Sequence, residues 1–91
     1  MRWPRLVAAL TAFIAAAAAA AVDVNLASEA ELESVKGIGP SLSALIIVER
    51  RNGPYKSWDD FRRRVKGVGD AAAARLSQAG LTVNGKAYRE P

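Results

Sequence analysis

The chain has 91 residues, 51% of them hydrophobic, a formal net charge of +4, and neither cysteine nor histidine. A length of this order bounds it to one small domain. Without cysteine there is no disulfide brace and no lipid-anchored cysteine, and without histidine or thiolate there is no good ligand set for zinc or a redox metal, so no metal or cofactor is expected.

The chain opens with Arg2 and Arg5, then runs from Leu6 to Val22 without a charge, with unbroken alanine from Ala15 to Ala21. A basic start, an apolar run and an Ala-x-Ala exit read as a secretory signal peptide over residues 1–21, cleaved just before Val22. The alternative is an uncleaved anchor in the inner membrane facing outward, since the run approaches the length that spans a bilayer. Removing Arg2 and Arg5 leaves eleven basic against nine acidic residues, or +2. The distribution is uneven. Residues 22–49 hold Lys36 against Asp23, Glu29, Glu31, Glu33 and Glu49, whereas residues 50–91 hold ten basic against four acidic residues. A basic face is therefore available if the fold gathers it.

After a short extended lead-in, DVNLA, Ser28 stands three residues before Glu31, the pattern of a capping box. It opens a predicted helix over residues 29–35 with Leu32 and Val35 as its buried pair. Glu29, Glu31 and Glu33 suit the positive end of the helix dipole and have no partner for acid or base chemistry. Gly37-Ile38-Gly39 breaks the chain, and Pro40 at a first helical position starts a second helix that runs to Arg50 or Arg51, where Asn52-Gly53-Pro54 stops it. This helix is apolar nearly all round. Leu42, Leu45 and Val48 exceed what one hairpin needs, and the opposite helix pair is expected to cover them, an exposed protein contact being the alternative. Ser57 with Asp60 three residues on caps a third helix through Trp58, Phe61 and Val65. Gly67-Val68-Gly69 breaks the chain again, and a fourth helix spans residues 70–79 before Gly80. Leu81-Thr82-Val83 is expected to pack back, ahead of a frayed tail from Asn84, with residues 86–91 disordered. Tyr55, Trp58 and Phe61, at helical and turn spacing, read as core and not as base-stacking platforms.

The pattern is thus all-α: four short helices in two pairs, with Val-Lys-Gly-(Ile/Val)-Gly written at residues 35–39 and again at 65–69. Each copy reads as a tight hairpin between antiparallel helices. The first glycine turns the chain, Ile38 or Val68 plugs the space between helices, and the second glycine leaves amide groups bare at a helix start. Such a cradle suits a phosphate oxygen, with Lys36 and Lys66 adding charge. Two cradles in one domain suit the two strands of a duplex, and contacts to backbone phosphates read no bases. The expected binding residues are Lys36, Gly37, Ile38, Gly39, Lys66, Gly67, Val68 and Gly69, joined by Arg62, Arg63 and Arg64 on the third helix and Arg75 on the fourth. The bland reading of these arginines is an ordinary solvated face, with Arg50 and Arg51 answering a helix C-terminal dipole. No paired carboxylates, nucleophile with a base or metal set can be assembled, so an enzyme is not expected.

The segments VDVNLASEAELESVKGIGP, NGPYKSWDDF and VKGVGDAAAARLSQAGLTVNG, in that order, resemble the tandem helix-hairpin-helix domain of the ComEA family over residues 22–85. The resemblance implies an exported, periplasmic or secreted receptor that binds double-stranded DNA without sequence preference and takes part in DNA uptake during competence. It also implies the inner-membrane DNA channel and pilus or secretin components as partners, and no small-molecule substrate. Two features depart from the family pattern. Lysines often found two or three residues after the second glycine are replaced by Ser41-Leu42 and Ala71-Ala72, and Asp70 puts a negative charge where a phosphate would approach. Similar hairpin pairs also occur in proteins of other function, so an exported scaffold or protein-interaction domain is the second expectation.

Overall fold

The computed structural model describes residues 21–89. The signal peptide expected over residues 1–21 therefore lies outside the described residues except for Ala21, and so do the last two residues of the tail. In order, the elements are β1 (Val22–Asp23), α1 (Glu29–Glu33), α2 (Pro40–Arg50), α3 (Trp58–Arg64), α4 (Asp70–Gln78) and β2 (Leu81–Thr82). The all-α expectation of four short helices in two hairpin pairs holds, with one addition. β1 and β2 pair in parallel, Val22 against Leu81 and Asp23 against Thr82.

Local chemistry sets the helix ends. Ser28 Oγ accepts from the Glu31 amide at 3.1 Å and Glu31 Oε1 accepts from the Ser28 amide at 2.8 Å, a reciprocal capping box. α1 stops short of Val35 because Ser34, its C-cap, turns its hydroxyl onto the Glu31 carbonyl at 2.6 Å. Pro40 is the first residue of α2, as its fixed φ favours. At α3, Ser57 Oγ accepts from the Asp60 amide, while Asp60 Oδ2 accepts from the amide of Lys56, one residue ahead of the cap. That backbone bond, with the Arg64 guanidinium beside it, holds the Asp60 carboxyl below the usual carboxylate range.

The core takes Leu32, Val35, Ile38 and Ile46 from the first pair and Phe61, Val65, Val68 and Leu76 from the second, sealed by Val24, Leu81 and Val83. Positions thirty apart in sequence are buried alike: Ser43 with Ala73, and Ile46 with Leu76. Tyr55 and Phe61 meet edge to face at 5.0 Å between ring centroids, and Trp58 meets Phe61 at 5.7 Å, so the aromatics are core, as expected.

Polar ties close the domain across long sequence distances. The Tyr55 amide donates to Asn25 Oδ1 at 2.7 Å, and the Tyr55 carbonyl accepts from Asn25 Nδ2 at 2.9 Å and from Asn84 Nδ2 at 3.1 Å. Asp23 Oδ2 accepts from Thr82 Oγ1 and the Gly85 amide. Arg50 donates from one nitrogen to the Val24 and Ala27 carbonyls, fastening the lead-in to the end of α2.

The tail differs from the frayed segment expected after Asn84. Asn84 and Gly85, both with positive φ, form a two-residue turn that bridges Val83 to Lys86. Trp58 Nε1 then donates to the Lys86 carbonyl at 2.8 Å, and the Tyr88 ring stands edge to face with Trp58 at 5.4 Å. A largely buried indole needs an acceptor for its N–H, and the returning tail supplies it. Among the described residues no helix is long and apolar enough to cross a membrane.

Two outcomes follow from these ties. Asn84→Ala removes a part-buried donor from the Tyr55 carbonyl, which keeps its bond from Asn25, and is expected to cost about 0.5–1.5 kcal/mol in urea unfolding. Burial raises the Tyr55 phenol from 10.0 to about 12, against the opposing pull of Arg64. Between these values the phenol stays neutral in the folded protein but ionises in the unfolded chain, so stability is intact below pH 10 and falls as pH rises from 10 towards 12. Urea midpoints at several alkaline pH values should fall more steeply for the wild type than for Tyr55→Phe.

Candidate functional site

The two glycine hairpins have nearly the same backbone. Gly37 and Gly67 sit at φ +103° and +98°, the left-handed region in which a side chain is strained. Gly39 and Gly69 are extended, at φ −98° and −95°, and each is the N-cap of the following helix with no side-chain cap. The first glycine of each pair therefore serves the turn. The second is different: its φ suits any residue, and a Cβ added at Gly39 or Gly69 would meet nothing within 4 Å. The fold does not require glycine at these two positions. What a Cβ would obstruct there is an approach from outside.

Ile38 and Val68 depart from the expected binding set. Their side chains are core plugs at 4% exposure, and their amides donate to the Val35 carbonyl at 3.0 Å and the Val65 carbonyl at 3.3 Å. The donors open to a ligand are instead those of Gly39 and Gly69, which have no acceptor among the described residues, and those of the first turns of α2 and α4.

Both hairpins border one cleft of about 570 Å3, lined by Lys36, Gly37, Leu42, Gly67, Ala72 and Arg75 among others. Gly37 pairs with Gly67 and Leu42 with Ala72 under the thirty-residue repeat, so the cleft lies across the junction of the two motifs. Leu42 and Leu76 give it an apolar floor, and Lys36 and Arg75 stand at it as exposed cations without an ion-pair partner among the described residues. Lys66 is exposed beside Gly67 but is not part of the lining.

The three consecutive arginines of α3, read together from the sequence, have separate fates. Arg64 uses every N–H it has: Nε on Glu49 Oε2, one terminal nitrogen on Asp60 Oδ2 and the Pro54 carbonyl, the other on the Glu49 and Gly53 carbonyls. It also lies 4.5 Å over the Tyr55 ring. Arg64 therefore fastens the end of α2 and the Gly53 turn to α3, and has no donor left for a phosphate. Arg62 bonds Asp59 at 3.0 Å and Asp70, and stands 5.7 Å from the Tyr88 ring. Only Arg63 projects, with 73% of its side chain exposed and a single 3.2 Å bond to Asp60. Of the four expected arginines, Arg63 and Arg75 remain available.

Asp70, expected to put a negative charge where a phosphate would approach, is tied to Arg62 and to the Tyr88 hydroxyl. The expected cover over α2 is incomplete. Leu42 packs against the core, but Leu45 and Val48 are 48% and 55% exposed. Sequence reasoning also missed Asn25 and Asn84, although both follow valine at the two ends of the domain, in VDVN and LTVN.

The helix-hairpin-helix motif family matches residues 17–79, well over half of the chain. No curated protein and no solved structure gives a match.

Arg64→Ala is expected to lower stability by about 2 kcal/mol or more through its unpaired acceptors, while Arg63→Ala stays within about 0.5 kcal/mol, both read by urea unfolding. Gly39→Ala and Gly69→Ala should each leave stability within about 1 kcal/mol, because lost N-cap preference is offset by reduced freedom of the unfolded chain.

Proposed function

Because this chain belongs to the helix-hairpin-helix family, we propose that it is a non-enzymatic module that binds double-stranded DNA by its backbone phosphates without reading base sequence. The observation that carries this reading is the pair of second glycines. Gly39 and Gly69 leave open space and unclaimed amides at helix starts, where the local fold would accept a side chain. Helix dipoles favour an anion at both positions, and the exposed Lys36, Lys66, Arg63 and Arg75 supply positive charge. The apolar cleft floor between the hairpins carries no carboxylate, so a sugar-phosphate backbone meets no repulsion there.

In its fuller form the reading is an exported protein of the ComEA kind, held in the periplasm or secreted, that hands DNA to an inner-membrane channel. The apolar, alanine-rich segment ahead of Val22 and the order of lead-in, hairpin, Asn-Gly-Pro-Tyr turn and second hairpin support it. A second reading is an exported scaffold domain whose Leu42-Leu45-Val48 face takes a protein partner, and the exposure of Leu45 and Val48 favours it.

Fluorescence anisotropy with two duplexes of unrelated sequence separates these readings. With about four phosphates neutralised, both duplexes should bind alike, and affinity should fall roughly a hundredfold between about 50 and 200 mM salt. Gly39→Ala should weaken binding while keeping the wild-type melting temperature within a few degrees. Absence of binding at low salt would pass the case to the scaffold.

A further inference from the structure

We infer that the phosphate-binding surface does not end at the second hairpin: it continues along α3 to a basic patch of Lys56, Lys86 and Arg89, which takes further phosphates of the same duplex. This extends the phosphate-binding reading above and rests on it. None of the three residues belongs to a glycine hairpin, and two of them stand on the returning tail.

The docked tail creates the patch. Trp58 Nε1 holds the Lys86 carbonyl, Val83 bridges to Lys86 across the turn, and the Tyr88 amide donates to Ser77 Oγ at 2.9 Å. These bonds bring Lys86 and Arg89 to the start of α3, where Lys56 precedes the Ser57 cap, and the three cations line one cleft of about 800 Å3. All three are exposed, and none has an ion-pair partner among the described residues.

The patch is continuous with the second hairpin. Asp59 borders both this cleft and a neighbouring one lined by Arg62, Arg63 and the hairpin plug Val68. The carboxylates along the way are occupied, Asp59 by Arg62 and Asp60 by Arg63 and Arg64. α3 has seven residues and spans roughly 10 Å, a length over which a duplex presents about six backbone charges. The first motif has no such extension: no basic residue lies between Val22 and Val35, and Glu29 and Glu31 stand exposed on α1. A duplex fits the patch better than a lipid surface does, because Trp58 is buried and no large exposed apolar side chain is there to enter a bilayer.

The lysines make the test direct, since Lys36 and Lys66 stand at the hairpins, Lys56 and Lys86 on the patch, and the chain has no others. The wild type is acetylated at low salt with and without a duplex of about 24 base pairs, and each lysine is read by mass spectrometry. Binding should slow acetylation severalfold at all four, a result that needs no substitution. The variant Lys56→Gln/Lys86→Gln/Arg89→Gln should keep the wild-type melt and lose about tenfold or more in affinity at low salt. Its loss of affinity between about 50 and 200 mM salt should be roughly tenfold smaller than that of the wild type, the mark of about two fewer phosphates, and close to the hundredfold that the hairpins alone give. Protection confined to Lys36 and Lys66, or a variant with the wild-type salt response, would overturn the extension and leave the hairpin reading in place. Protection of Lys56 and Lys86 by phosphatidylglycerol vesicles and not by duplex would also overturn it, in favour of a membrane. A wild type that binds no duplex would defeat both readings.

Discussion

The placement of both hairpins depends on the main chain of Tyr55 being gripped by two asparagine side chains. Tyr55 lies in the linker between the motifs, Asn25 precedes the first and Asn84 follows the second. The main chain of one residue therefore gathers the lead-in, the linker and the closing segment. The same residue sends its ring into the core and its hydroxyl to the Ile46 carbonyl at 2.8 Å, and Arg64 covers it from α3. A domain this small has no disulfide and little apolar volume to fix the angle between two helix pairs. A part-buried polar knot around the Tyr55 main chain does that instead, and it does so directionally, which apolar contacts cannot.

Much of this architecture was legible in the sequence, because it is written in local chemistry. Caps at Ser28 and Ser57, the proline at the start of α2 and the glycines at positive φ each act within a few residues, so element order and hairpin positions could be read from single stretches. The long-range ties were not legible. An asparagine in a lead-in looks like any polar loop residue until a backbone thirty residues away arrives beside it. The β1–β2 pairing and the docking of Tyr88 failed for the same reason: two-residue strands and a polar tail carry no periodicity to read.

The arginines show the limit more sharply. Arg62, Arg63 and Arg64 are identical in the sequence, yet a rotation of about 100° per residue sends one to the α4 start, one to water and one into a ring of carbonyl oxygens. Charge counts cannot separate these fates. The glycines divide along a similar line: Gly37 and Gly67 answer the backbone, while Gly39 and Gly69 answer nothing inside the molecule. At a candidate binding site, a residue the fold does not need is more informative than one that it does.

The parallel pairing of β1 with β2 also has a mechanical side. In such a pair the chain enters at one end of the ladder and leaves at the other. A pull applied ahead of Val22 runs along the strand, so the bonds from the Val22 amide to Gly80 and from the Val24 amide to Thr82 share the load in shear and do not open one after another. Behind them stand Asp23 on Thr82 and Asn25 on Asn84. A tug on the leading end is thereby passed to the strand that follows α4, and the two halves resist it as one body.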